Sequence, residues 1–159
     1  MLEPEIGISA EDREQVVQIL NYTLGDHIAL WIQLKSYHWN VYGIHFNQLH
    51  ELFESLAVEV QSHIDDIAER IRTLGAFTPA NLMAFHNLSR LKEDQTVGQK
   101  APQLLESALH NYESIIRQLR IDVELTATSY NDSGTSDFLT GLMAEHEKKA
   151  WLLRAHLES

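Results

Sequence analysis

The chain contains no cysteine. That excludes a disulfide scaffold and thiolate chemistry, and it leaves imidazole and carboxylate as the metal ligands, a set that suits iron, manganese or zinc better than copper(I). Basic residues are scarce: 12 Lys and Arg stand against 23 Asp and Glu, for a formal charge of −11. Such an excess repels nucleic-acid phosphates and attracts cations, although acidity also serves plain solubility. No apolar run approaches the roughly 18 residues of a membrane span. Residues 1–15 lack the basic and apolar regions of a secretory signal, so a soluble, cytoplasmic protein is expected. Alternating strand-like runs bounded by turns are also missing, which leaves helices to build the fold.

What is present is apolar content of 44% in 159 residues, enough for one core and one domain spanning 1–159, with a short tail over 1–9. Ser9 followed by Asp12 reads as the cap of a first helix beginning near Ala10. Its apolar stripe is Val17, Leu20, Leu24, Ile28, Trp31 and Leu34, and His38 falls on or beside it. Gly43 suits the turn after that helix, and a second helix runs from about Asn47 to Leu74, closed by Gly75. A connection from Ala76 to Lys100 follows, with a short helix over 81–88. Pro102 opens a third helix reaching about Ser129. Thr135 caps the last helix, which carries Phe138, Leu139, Leu142, Met143, Trp151, Leu152 and Leu157. The long connection acts as a crossover, so the expected fold is all-α: a ferritin-like four-helix bundle with a short helix in the crossover between the second and third helices.

The stretch from His38 to Glu69 organises the chemistry. His50 and Glu54, then Asp65 and Glu69, are i,i+4 pairs of metal-ligand types on one helix. Eleven residues separate Glu54 from Asp65, so the two pairs share nearly one face but lie about 16 Å apart along the axis. One ion cannot span that distance. A two-fold copy running antiparallel, with its axis near Glu59 and Val60, would bring residues near 52 against residues near 67 of the other chain and make two mixed sites per dimer. The alternative inside one bundle is a di-iron carboxylate site, which needs Glu-x-x-His on two helices. No histidine of this sequence has Glu three residues before it, so a site within one bundle is not expected. His45, in the turn, and His63, two residues before Asp65, are alternatives as extra ligands, but are read as surface or core histidines.

The stretch resembles the Dps family, the miniature ferritins named for DNA protection during starvation. The matching residues are His38-Trp39-Asn40, Gly43, Phe46, His50-Glu51, Glu54, Asp65, Ile67-Ala68-Glu69-Arg70 and Leu74-Gly75. Dense matching covers Leu30 to Ala76, and a weaker match lies around Asp132, Thr135, Asp137, Lys148 and Trp151. The resemblance implies a hollow homo-oligomer, a dodecamer, that oxidises Fe(II), preferentially with hydrogen peroxide, stores ferric mineral and protects against oxidative stress. It implies ferroxidase ligands His38, His50 and Glu54 from one chain, with Asp65 and Glu69 from a two-fold mate. Glu54 stands where many members have Asp. Trp39 matches an aromatic beside the family's site, and simple packing explains it equally.

Other readings stand beside this one. The same ligands would hold zinc in a non-catalytic metal-binding shell, since Zn(II) has no redox chemistry. Asp132, Asp137, Glu145 and Glu147 would line an iron-entry pore if the start of the last helix met three-fold neighbours; acidic caps and solvated helix faces account for them as well. Weak or absent DNA binding is expected, because Glu3, Glu5, Glu11, Asp12 and Glu14 surround only Arg13, and the run Arg154 to Ser159 is too short for a basic arm.

Overall fold

The computed structural model describes residues 3–92 and 98–158. The helices are α1 (Ala10–Asn40), α2 (Phe46–Thr73), α3 (Leu82–Leu88), α4 (Ala101–Glu124) and α5 (Ser133–Leu157), with a π-helical turn, Leu125–Ser129, extending α4. No strand occurs among the described residues. α1 packs along α2 and α4 along α5, while α3 lies across α1. The architecture is the expected bundle with its crossover helix.

Local chemistry sets the helix ends. Ser9 Oγ accepts from the Asp12 amide at 3.0 Å, a cap worth about 1 kcal/mol. Gln103 reaches back to the Lys100 amide at 3.0 Å to start α4. α2 closes on Leu74 and Gly75, the glycine at φ 86°, where an L-residue would be strained. A Cβ there would also stand 2.6 Å from the ring of Pro4. The N-terminal segment therefore docks at this corner, and Arg13 holds it by donating to the Pro4 carbonyl at 2.6 Å.

The start of α5 differs from the sequence expectation. Its cap is Asp132, whose carboxylate accepts from the Thr135 amide at 2.9 Å, so Thr135 lies inside the first turn. A carboxylate facing unpaired amides is a stronger acceptor than a hydroxyl, and Asn131, at φ 55°, turns the chain into this position. Arg70 adds an ion pair to Asp132 at 3.2 Å, tying the end of α2 to the start of α5.

The core is drawn from all four long helices, with Leu20, Leu34, Phe53, Val60, Ile67, Tyr112, Leu119, Leu139 and Leu153 fully or nearly fully buried. On α1 the buried arc is wider than the expected stripe: Val16, Ile19, Leu30 and Tyr37 join it, whereas Val17, Ile28 and Trp31 are only partly covered. The arc also takes in Thr23, Asp26 and His27. Polar groups survive burial only with partners. Asp26 accepts from Arg90 Nε at 2.8 Å, and the same guanidinium reaches Asp122 of α4 at 3.1 Å. Burial still pushes the Asp26 carboxyl up from its ordinary value, with Arg90 opposing. Arg90 thus pins the crossover to both halves of the bundle. Just beside it Gly25 lets α3 approach, since a Cβ would lie 2.8 Å from Leu88 Cβ and from the Ser89 amide nitrogen.

Candidate metal centre

The hairpin of α1 and α2 places His38, near one helix end, beside His50, near the next helix start. Each ring uses Nδ1 to bond the other residue's backbone carbonyl: His38 Nδ1 to His50 O at 2.8 Å, and His50 Nδ1 to His38 O at 2.8 Å. A carbonyl only accepts, so both Nδ1 atoms carry protons and the neutral rings keep their lone pairs on Nε2. The imidazoles stack at 3.8 Å between centroids, 24° apart, and Phe46 stacks on His50 at 5.0 Å. Tautomer and orientation are therefore fixed before any ion arrives, as second-shell bonds do in metal sites.

Glu54, one turn after His50, places Oε2 3.4 Å from His38 Nε2. Lys35 forms an ion pair with the same oxygen. The Lys35 hydrogen bond, with help from the Lys35 charge, holds the Glu54 carboxyl below its ordinary value. As a donor set, two imidazole nitrogens and an ionised carboxylate suit a hard-to-borderline divalent ion such as Fe(II), although only His38 and Glu54 bring ligand atoms close to each other within the chain.

Asp65 and Glu69 do not join this group within the chain. They lie further along α2, on the exposed face that also carries Glu51, Ser55, Val58 and Ser62. At the expected level of a two-fold axis Val60 is fully buried, and Val58 and Ser62 are exposed side chains. Trp39 is 67% exposed, with Lys35 Nζ 5.7 Å from its ring centroid.

Three of the four acidic residues considered for a pore are separately engaged. Asp132 is 2% exposed and occupied as a cap and by Arg70. Asp137 is exposed, Glu147 pairs with Arg120, and Glu145 bonds His63.

Sequence reasoning missed one feature. His27, His63 and His146, from α1, α2 and α5, meet inside the bundle, where no donor cluster was expected. The Glu-x-x-His pattern misses them because Leu24, Val60 and Met143 stand three residues before His27, His63 and His146. A usable signal was that each histidine falls on its own helix's buried arc, as His146 does between Leu142 and Ala150.

Comparison with known proteins agrees with the architecture. The ferritin-like domain family matches residues 17–159. The chain is 40% identical over 153 residues to an uncharacterised low-temperature-induced protein of Nostoc sp., covering 96% of this chain and 86% of the relative. It is 38% identical over 144 residues to DNA protection during starvation protein 2 of Bacillus anthracis, covering 91% and 97%. A Dps protein from Vibrio cholerae O1, described as a member of a broad superfamily of ferritin-like diiron-carboxylate proteins, superposes with a TM-score of 0.91 at 28% identity, covering 99% of this chain and 98% of that one.

Proposed function

The chain belongs to the Dps family of ferritin-like proteins, and from that premise we propose that it takes up Fe(II), oxidises it with hydrogen peroxide and stores the ferric product inside a homo-oligomeric shell of twelve chains. The observation that carries this reading is the reciprocal pair of histidine-to-carbonyl bonds, which leaves the Nε2 lone pairs of both rings free, that of His38 3.4 Å from Glu54 Oε2. The membership supports iron handling and protection, and the ligand types support a ferroxidase.

In this mechanism Fe(II) is the substrate. His38 and His50 bind it as neutral donors, and Glu54 exchanges its Lys35 partner for the incoming cation. Asp65 and Glu69 of a two-fold-related copy complete the site and offset the ion's charge. Two Fe(II) ions each give up one electron; peroxide accepts both with two protons and leaves as two waters. Hydrolysis of Fe(III) then releases protons as mineral grows. Removing both Fe(II) and peroxide in one step avoids free hydroxyl radical, which is the protective gain. Trp39, beside the site, would supply an electron to a stray oxidant.

The test mixes anaerobic protein with Fe(II), adds peroxide and follows ferric absorbance. Wild-type protein accelerates oxidation over buffer, and His38→Ala and His50→Ala lose most of that acceleration with shell size unchanged by gel filtration. A wild-type rate equal to the protein-free control refutes the reading. Because the chain carries a formal charge of −11, DNA binding is expected to be weak or absent, counterion release being small without clustered Lys and Arg. Salt-sensitive retardation of a plasmid in chelator-containing buffer would contradict that expectation.

A further inference from the structure

The three histidines inside the bundle belong to none of the steps above. His27 and His146 are 0% exposed and His63 is 5% exposed. One ligand atom from each lies within 4.8 Å of the others. His27 and His146 approach Nε2 to Nε2 at 3.0 Å, and the ring centroids of His63 stand 6.0 Å and 5.3 Å from theirs. We propose that this cluster is a second metal site, separate from the interface centre, which binds one borderline divalent cation of the zinc class within each chain through His27, His63 and His146.

Three features support the assignment. The first is tautomer control. His27 Nδ1 donates to the Thr23 carbonyl at 2.7 Å, so its lone pair is on Nε2, directed at His146. His63 Nε2 bonds the Glu145 carboxylate at 2.7 Å, so a neutral His63 ring carries its lone pair on Nδ1. A carbonyl behind one ligand and a carboxylate behind another is the outer-shell arrangement that orients metal-bound histidines.

The second feature is unmet bonding capacity. Nδ1 of His63 and Nδ1 of His146 are buried with no hydrogen-bond partner among the described residues, although buried polar atoms are nearly always satisfied. A core that needed histidine only for packing would not leave ring nitrogens unmatched, and a cation held at the His63 Nδ1 lone pair would satisfy that atom. Burial also drives the His27 ring down to about 3 and the His146 ring well below its ordinary value, so both are unprotonated donors at neutral pH.

The third is fit. Two nitrogens on one tetrahedral Zn(II), at bonds of about 2.05 Å, stand about 3.3 Å apart. Without an ion the 3.0 Å approach is a hydrogen bond from His146 Nε2–H to the His27 lone pair; an ion displaces that proton and opens the pair by a few tenths of an ångström, while the other separations, none above 4.8 Å, close by at most about 1.5 Å. The charge is answered at the rim, where Glu59 and Glu145 form a second group with His63 within the same 4.8 Å limit. Glu59 is held there by Lys149. Three neutral imidazoles with few carboxylates favour zinc, cobalt or nickel over magnesium or calcium, which require oxygen ligands. Because the ligands come from α1, α2 and α5, a bound ion would clamp both halves of the bundle.

The experiment uses full-length shells carrying His38→Ala and His50→Ala, in which the interface imidazoles are gone. Protein is loaded with one equivalent of Zn(II) or Co(II) per chain, passed over a weak chelating resin and measured by native mass spectrometry. The expected result is one retained ion per chain, visible ligand-field bands of nitrogen-ligated Co(II), and X-ray absorption of the zinc form with an imidazole-rich shell. Adding His27→Leu or His146→Leu removes the retained ion. If either variant fails to assemble, the X-ray absorption of the parent decides alone. No retained ion, a shell of oxygen ligands only, or undiminished retention in folded Leu variants would overturn the proposal. Peroxide-driven iron oxidation is read separately, so loss of that activity leaves this result independent.

Discussion

Two inactive variants should restore each other if the interface centre is shared. His50 and Asp65 lie on one helix, 15 residues apart, a separation of about 22 Å along the axis. No ion of one chain can touch both. His50→Ala removes one donor from the half-site that includes His38 and Glu54, and Asp65→Ala removes one from the other half. The structural damage is small. Losing the His50 Nδ1 bond to His38 O and the stacks on His38 and Phe46 costs about 1–3 kcal/mol, and Asp65 is exposed. Both parents are expected to assemble with little activity. When they are dissociated, mixed in equal amounts and reassembled, random pairing makes about half the dimers mixed, and each mixed dimer holds one intact site out of two. Peroxide-driven Fe(II) oxidation should therefore recover to about a quarter of the wild-type level. Gel filtration before the assay confirms intact shells and mass spectrometry confirms mixing. If well-mixed, intact shells stay as inactive as their parents, the two half-sites do not come from different chains.

Arg90→Met leaves the buried carboxylates of Asp26 and Asp122 facing each other's neighbourhood without their shared cation; a loss of about 3–5 kcal/mol is expected in urea unfolding, and an unchanged midpoint would show the triad to be dispensable. Gly25→Ala drives a methyl group to 2.8 Å from Leu88 Cβ and the Ser89 amide, so α3 must shift; the expected cost is about 1–3 kcal/mol, with faster amide exchange over 82–90. In metal-free buffer stability is also expected to depend on pH. His27 titrates near 3 when folded and near 6.5 when unfolded, so the unfolded chain binds more protons between those values and stability falls as pH drops through that window. At pH 5 the loss from His27 is about 2 kcal/mol. His27→Leu should shrink the difference in stability between pH 7 and pH 5 by a comparable amount, and an identical pH dependence in variant and wild type would refute the linkage.

The helix order, the crossover and the ligand types of α2 were legible in the sequence because they depend on local rules. Period 3.6 marks the buried faces, Ser9 and Gly75 mark ends by capping and backbone conformation, and spacing along a helix fixes how far apart His50 and Asp65 must lie. The same spacing separated the ligands into two halves without any coordinates. What sequence could not settle depended on contacts between distant segments. Whether Asp26 and His27 belong inside is invisible on α1 alone, since a charged or polar residue is admitted to a core only when another element supplies its partner, here Arg90 from the crossover and His146 from α5. The cap of α5 at Asp132 is local, but its pairing with Arg70, 62 positions earlier, is not. The three interior histidines, widely spaced along the chain, share no motif; only the packing of α1, α2 and α5 carries them to one depth in the bundle, and that packing, with the orientation of each ring, is a property of the tertiary structure.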